Sequence, residues 1–402
     1  MNTRASEYPV VRLKSKADRR IRQGHPWAFS NEIEMDETAR GLPPGVPVRL
    51  ETANGKALGI FLFNRHPLIA ARRISRDPTA VVDVAFLEGR LRRALALREA
   101  LVGVPFYRLV HAEADGLPGT IIDRFGDKLV LQINTAGMEG LQPQLLEALD
   151  RVLAPRHILL RNDTPARELE GLSQYTEVLR GTFSGSLEVQ ENGTRYFADS
   201  GEGQKTGWFY DQRENRAFVE QLVRGAGLKR VIDLYSFSGG FGIQAALGGA
   251  EEVTLLDRST AALDLARQAA EANGVTGRCQ FRKSDAFAAL EHLARKGAPH
   301  DLVIADPPAF VKAKKDLPQG LRAYRKLARL ASGQVAAEGY LVICSCSHHV
   351  ERARFAEQVH RGIEDCGRKA RVLRTAGAAP DHPLHPGLPE SEYLKAMVLA
   401  LD

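Results

Sequence analysis

Two cysteines stand two residues apart in VICSCSHHV, Cys344 and Cys346, where the apolar run Tyr340 to Cys344 gives way to polar residues. Free cysteine is often a small packing residue. A thiol at the exit of a buried strand is also where a nucleophile faces a site. Upstream, Asp306 opens a DPPAF loop, whose prolines fix φ and remove backbone donors and so stiffen the carrier of that carboxylate. A thiolate adding to carbon 6 of a pyrimidine makes carbon 5 enamine-like, and a nearby carboxylate can hydrogen-bond the ring and help protonate it during attack. Cys346 is therefore the expected nucleophile and Asp306 its partner. Cys344 lies deeper on the same strand face and reads as packing. Cys279 and Cys366 are isolated and read as structural. The Cys-x-Cys-Ser-His-His run matches no common structural zinc spacing, so no metal is expected.

The thiol and carboxylate need a partner that supplies carbon. In VIDLYSFSGGFGIQAA a strand ends at Asp233 and Leu234, a turn holds Gly239, Gly240 and Gly242, and a helix follows. The spacing is not that of a dinucleotide fingerprint, and a carboxylate at Asp233 disfavours a pyrophosphate and suits a cation. The next strands end in Asp257, fit for ribose hydroxyls, in Asp285, fit for an adenine amino group with Phe287 as an apolar neighbour, and in Asp306. Any one of these aspartates is also an ordinary helix cap. Four in succession with the glycine turn describe a nucleoside bearing a positive sulfonium, S-adenosylmethionine. Tyr235, Phe237, Arg258 and Ala286 complete the expected contacts. The aromatic segment KTGWFYDQRENR, with Lys205, Phe209, Gln212 and Arg213, is placed to cover this ligand.

The elements that position these groups follow from periodicity. Up to about residue 75, VVRL, GVPVRLET, ALGIFLF and LIAARRIS read as strands of a small β-rich domain, with an Asn54-Gly55 hairpin. Residues 76–186 read as a central α+β domain. It has a helix over VAFLEGRLRRALALREAL, another near 141–153, and antiparallel strands in YRLVHAEADGLPGTIIDRFGDKLVLQIN, HILLRND and YTEVLRG. SLEVQENGTRYFAD is a second Asn-Gly hairpin, opening a third domain over residues 187–402. There RVIDLY, EVTLLD, CQFRKSD, DLVIADPP, GYLVICS, ARVLRT and YLKAMVLAL alternate with helices, which predicts a mostly parallel seven-stranded sheet with an antiparallel edge.

Composition is that of a globular protein, with few cysteines, no secretory leader pattern and no apolar run long enough for a bilayer. A cytoplasmic location without membrane contact is expected. The formal net charge of +6 favours a polyanionic partner. Basic residues gather at Arg12, Lys14, Lys16, Arg19, Arg20 and Arg22, and again at Lys312, Lys314 and Lys315. Arg322, Arg325, Lys326 and Arg329 fall on one face of a helix after DPPAF.

The strand-and-aspartate pattern resembles a class I S-adenosylmethionine-dependent methyltransferase with a Rossmann-like α/β domain. With RIRQGHPWAFSNEIE, EADGLPGTIIDRFGD, the LYSFSGGFG turn, DPPAF and CSCSHH, the whole chain resembles the bacterial PUA-domain-containing methyltransferases that make 5-methylcytosine in 23S ribosomal RNA. That resemblance implies Cys346 as nucleophile, Asp306 in the active site, and Asp257, Asp285, Gln212 and Arg213 near the cofactor. It implies an N-terminal RNA-binding module and, as partner, a single-stranded or partly folded region of 23S rRNA, since the target base must leave its stack. Two other readings stay open: methylation of a base nitrogen such as guanine N7, which DPPAF alone allows, and a non-catalytic rRNA-binding assembly factor. A homodimer is also compatible with the sequence.

Overall fold

The apolar runs near the start of the chain pair into a five-stranded sheet in the computed structural model, which describes residues 8–199, 207–297 and 299–402. Its strands are β1 (Val10–Arg12), β2 (Trp27–Phe29), β3 (Val46–Glu51), β4 (Ala57–Phe63) and β5 (Ile69–Ser75), in spatial order β1-β3-β4-β5-β2. Four of these are the runs legible in the sequence. β2, only three residues long, is too short to show alternation. The Asn54-Gly55 segment joins the antiparallel pair β3 and β4, with Gly55 at φ 75°.

Helix α1 (Val84–Val102) follows, capped by Asp83, whose carboxylate accepts from the Phe86 N–H. A second sheet holds β6 (Phe106–His111), β7 (Thr120–Phe125), β8 (Lys128–Ile133), β9 (His157–Asn162) and β10 (Tyr175–Arg180), in order β10-β9-β8-β7-β6. The expectation of antiparallel strands fails for β8 and β9, which run parallel. The reason is helix α2 (Gln142–Leu153), which supplies the long crossover that a parallel pair requires. Leu87, Leu91 and Ala94 of α1 and Leu145, Ala148 and Leu149 of α2 enter one core with this sheet. Both sheets belong to a compact unit that runs to residue 184 and also takes in residues 380–389. Within it the buried Arg98 donates to both oxygens of Asp115, at 2.6 and 2.7 Å, and to the Asp381 carbonyl at 3.0 Å.

The second compact unit comprises residues 185–379 and 390–402. It opens with the hairpin β11 (Ser186–Glu191) and β12 (Thr194–Asp199). At its tip Asn192 and Gly193 have φ 52° and 74°, the left-handed pair that a two-residue primed turn needs. Then come α3 (Arg213–Ala226), β13 (Arg230–Leu234), α4 (Gly240–Leu247), β14 (Glu252–Asp257), α5 (Thr260–Ala272), β15 (Cys279–Lys283), α6 (Ala286–Lys296), β16 (His300–Ala305), α7 (Leu317–Ser332), β17 (Val335–Ser345), α8 (Arg352–Glu364), β18 (Ala370–Ala376) and β19 (Lys395–Leu401). All seven strands expected from the sequence form one sheet, in order β15-β14-β13-β16-β17-β19-β18. β13 to β17 pair in parallel. β19 runs antiparallel to both of its neighbours and lies inside β18. Among the described residues, no helix is long and apolar enough to cross a membrane.

Helices α7 and α8 touch through Gly362. A Cβ there would stand 2.5 Å from the Arg325 carbonyl oxygen and 2.7 Å from the Ala328 Cβ. Gly362→Ala is expected to destabilise the protein by about 1–3 kcal/mol through overpacking. Gly225→Ala, in α3 with nothing within 4 Å of its added carbon, is expected to stabilise it by about 0.5–1 kcal/mol. Urea unfolding of both variants checks this, and equal midpoints would contradict the packing described.

Candidate active site

Strand order reverses between β13 and β16, and open α/β sheets take ligands beyond the carboxyl ends at such a point. Asp233, next to last in β13, is 1% exposed. The Gly242 N–H donates to its Oδ2 at 2.8 Å, while Oδ1 has no hydrogen-bond partner among the described residues. Burial pushes this carboxyl up to about 8. The Gly242 N–H pulls it down, and the charges of Asp306 and Asp257 push it up further.

The turn after β13 is strained. Tyr235, Phe237 and Gly239 have φ of 61°, 49° and 89°, so two non-glycine residues occupy left-handed backbone. The Ser236 N–H donates to the Leu256 carbonyl at 3.0 Å, the Phe237 N–H to Asp257 Oδ2 at 2.9 Å, and the Gly239 N–H to the Ser236 carbonyl at 2.8 Å. The hydroxyls of Ser236 and Ser238 are buried with no partner among the described residues. Glycine at 242 is required by packing: a Cβ would meet Leu255 Cγ at 2.8 Å and Asp233 Oδ2 at 3.1 Å. A Cβ on Gly240 would meet Arg216 and the ring of Trp208.

The other acidic strand ends are partly engaged. Asp257 uses one oxygen on the Phe237 N–H and the other on the Ser259 N–H at 2.8 Å. Each oxygen keeps lone pairs for a ligand. Asp285 is exposed and caps α6, its Oδ1 accepting from the Ala288 N–H at 3.1 Å, so the ordinary capping role is present. Ala286 beside it is buried, and Arg258 is exposed.

At the centre of the sheet edge, Gln212 ties the chemistry together. Its side-chain amide donates to Asp306 Oδ2 at 3.0 Å, accepts from Asn215 at 2.6 Å, and bonds the thiol of Cys344. Cys344 is fully buried, and burial raises its thiol well above the ordinary range. Cys346 is half-buried just past β17, its Sγ 3.8 Å from the Pro307 carbonyl in the DPPAF loop. Burial pushes this thiol up to about 11, helped by the charges of Asp306 and Asp211. The sequence-expected pair, Cys346 and Asp306, is thus brought to one place. Arg213, next in the chain to Gln212, stands 3.9 Å from Glu191 and over the ring of Tyr210. Phe209 is 50% exposed and meets Phe237 edge-on at 5.3 Å, while Trp208 and Tyr210 flanking it are buried. Lys205 falls outside the described residues.

Several groups here were not anticipated. Asp211 accepts from the Tyr393 hydroxyl at 2.6 Å, and its Oδ1 has no partner among the described residues. Tyr324 bonds the hydroxyls of Ser345 and Ser347, each at 2.8 Å, and Ser347 Oγ accepts from the Val311 N–H at 3.1 Å. This fastens the exit of β17 to the loop after Asp306. Lys395 is buried and donates to the Ser347 carbonyl at 2.6 Å. Single acidic, hydroxyl or lysine positions carry no periodic signal, so sequence reading had nothing to find them by. On the helix thought to track RNA, Arg325 is paired with Asp365 and Lys326 with Glu291, leaving Arg322 and Arg329 as its exposed arginines.

The donor set suits S-adenosylmethionine. Asp257 and Asp306 at strand ends and Asp211 in the turn before α3 bring acidic groups toward the buried carboxyl of Asp233, and among the described residues an unpartnered oxygen on Asp233 and the hydroxyls of Ser236 and Ser238 remain for a polar cation. The sequence matches the family of S-adenosylmethionine-dependent methyltransferases over residues 156–397, and the PUA-like domain over residues 11–76. Fold and site together define a class I methyltransferase with an N-terminal PUA-like β-rich domain, whose cofactor is S-adenosylmethionine. The ribosomal RNA large subunit methyltransferase I of Aeromonas salmonicida is 37% identical over 395 residues, covering 97% of this chain and 98% of its own. Its counterpart in Photobacterium profundum is 36% identical over 392 residues, covering 96% and 97%. The chain belongs to this family of ribosomal RNA large subunit methyltransferases I. In fold it is similar to a candidate S-adenosylmethionine-dependent methyltransferase from Streptococcus mutans, at TM-score 0.80 and 20% identity, covering 98% of this chain and 100% of the other. A methyltransferase crystallised with S-adenosylhomocysteine superposes at TM-score 0.82 with the same identity and coverage.

Because Asp233 is held up to about 8 in the free protein, a cation that favours its ionised form must displace a proton below that pH. S-adenosylmethionine affinity is expected to strengthen as pH rises from 6 toward about 8, with proton release on binding. Asp233→Asn should bind more weakly, with a flat profile. Calorimetric titration in buffers of different ionisation enthalpy measures both, and a flat wild-type profile would remove Asp233 from the cofactor site.

Proposed function

We propose that the protein methylates carbon 5 of a cytosine in 23S ribosomal RNA through a covalent bond between Cys346 and carbon 6. The observation that carries this is a thiol past β17 and a carboxylate past β16 on adjacent parallel strands, with the thiol against the Pro307 carbonyl of the carboxylate's own loop. S-adenosylmethionine supplies the methyl group when bound. Cys346 attacks carbon 6 as the thiolate, forming the S–C bond and moving the ring's electrons toward carbon 5. Asp306, held by Gln212, hydrogen-bonds the ring and helps protonate it during that attack. After methyl transfer, the carbon 5 proton leaves to a base and the S–C bond breaks, returning the thiolate.

The class of substrate comes from the relatives, which are ribosomal RNA methyltransferases by name. The first 75 residues or so then serve as an RNA-binding module, residues 76–186 as a central domain and 187–402 as the catalytic one. Arg12, Lys14, Lys16 and Arg19 are exposed on the first of these and suit phosphate contacts. The cofactor contacts proposed are Asp233, Tyr235, Phe237, Gly239, Gly240, Asp257, Arg258, Asp285 and Ala286, with Gln212 and Arg213. An rRNA substrate implies a cytoplasmic reaction. Methylation at a base nitrogen would not need the thiol at all.

Cys346→Ala is expected to lower methyl transfer by more than about a thousandfold while leaving cofactor affinity within a few-fold of wild type. RNA carrying 5-fluorocytidine at the target should remain attached to wild-type protein on a denaturing gel, because fluorine cannot leave as a cation. Mapping of 5-methylcytosine in rRNA from cells with and without the gene identifies base and atom together. A fully active Cys346→Ala protein would sink the covalent mechanism.

A further inference from the structure

Lys395 is a buried ammonium beside the proposed nucleophile, and cofactor binding does not account for it. It opens β19 directly opposite Ser345 of β17. It is 2% exposed, and its Nζ donates to the Ser347 carbonyl oxygen at 2.6 Å. An ammonium carries three donors, and the other two have no acceptor among the described residues. Buried lysines are normally paired with an acid. Glu392 acts on this one only from a distance and is itself paired with Arg352. Cys346 lies between Ser345 and Ser347, the two residues to which Lys395 is fixed.

We propose that Lys395 is the positioning cation of Cys346: anchored on the Ser347 carbonyl, its ammonium holds positive charge beside Sγ and favours the thiolate. The role rests on Cys346 being the nucleophile. Among the charges that act on this thiol, Asp306 and Asp211 raise its pKa and Lys395 lowers it. The attraction is mutual. Burial pulls Lys395 down to about 8, while Cys346 and Glu392 favour its charge and Arg352 opposes it. His348, also facing Lys395, is lowered first by burial, so it brings no competing positive charge at neutral pH. Cys344, buried on the same strand, is itself raised first by burial and then by Asp306 and Cys346. No further reactant is needed: the thiol loses its proton to solvent, and the electron pair stays on sulfur.

The test is the pH dependence of Cys346 alkylation by iodoacetamide in the intact protein, followed peptide by peptide so that Cys279, Cys344 and Cys366 are read separately. Lys395→Met is expected to slow Cys346 alkylation at about pH 7, where the ammonium keeps its charge, about tenfold, one pKa unit, and to leave the rate above about pH 9 unchanged. Lys395→Arg should recover most of that loss, and methyl transfer should follow the same order with KM for RNA unchanged. Should Lys395→Met fail to fold, the wild-type profile decides. Loss of the ammonium's charge near pH 8 must leave a shoulder in the rate, since the two groups titrate as a pair. A single smooth titration in wild type, or an unchanged profile in a folded Lys395→Met protein, overturns the proposal. If Lys395→Met is unchanged while Cys346→Ala is inactive, only the lysine's role fails. If Cys346→Ala is active, the nucleophile itself fails.

Discussion

Asp233 is sealed in the sheet with one oxygen on the Gly242 N–H and the other without a protein partner among the described residues. Asp306 and Asp257 bear on it, and burial holds its carboxyl up to about 8. Like charges brought this close in a poorly solvated place repel one another unless a proton or a cation intervenes. The strained turn at Tyr235 and Phe237 is built around the same spot, with Asp257 accepting from one of its amides. The free protein thus carries an electrostatic debt, which a cation bound beside Asp233 would relieve.

The thiol presents the opposite problem. The acids that attract a cationic cofactor also discourage a thiolate, and Asp306 and Asp211 raise Cys346 for that reason. One sheet edge therefore carries acids and a thiol with conflicting electrostatic needs at the ends of neighbouring strands. Their positions are fixed by neutral contacts. Tyr324 and the hydroxyls of Ser345 and Ser347 lock the end of β17, and Gln212 bridges Asp306 and Cys344 without adding charge.

Much of this was legible in the sequence wherever the signal is local. The seven strands of the larger sheet, the Asn192-Gly193 hairpin and helices α1 and α2 follow from period and turn chemistry. That Cys346 and Asp306 come to one edge was readable because strand ends in a parallel sheet converge there. What escaped has a non-local cause. β2 is three residues long. The parallel pairing of β8 and β9 depends on how a helix crosses, not on the strands' own residues. Asp211, Tyr324 and Lys395 matter only because distant segments place them near the thiol. Asp285 was read both as a cap and as a ligand contact, and its Oδ1 caps α6.

The order of the larger sheet has a consequence for synthesis. β19 lies between β17 and β18, although it is the last of the seven in the chain. As the polypeptide emerges, β13 to β18 are available first, with a gap beside β17 that only β19 fills. Tyr393 and Lys395 arrive with that strand. A nascent chain can therefore display its thiol and acidic edge early, yet it lacks the lysine beside Cys346 until the closing strand has been translated and threaded into place.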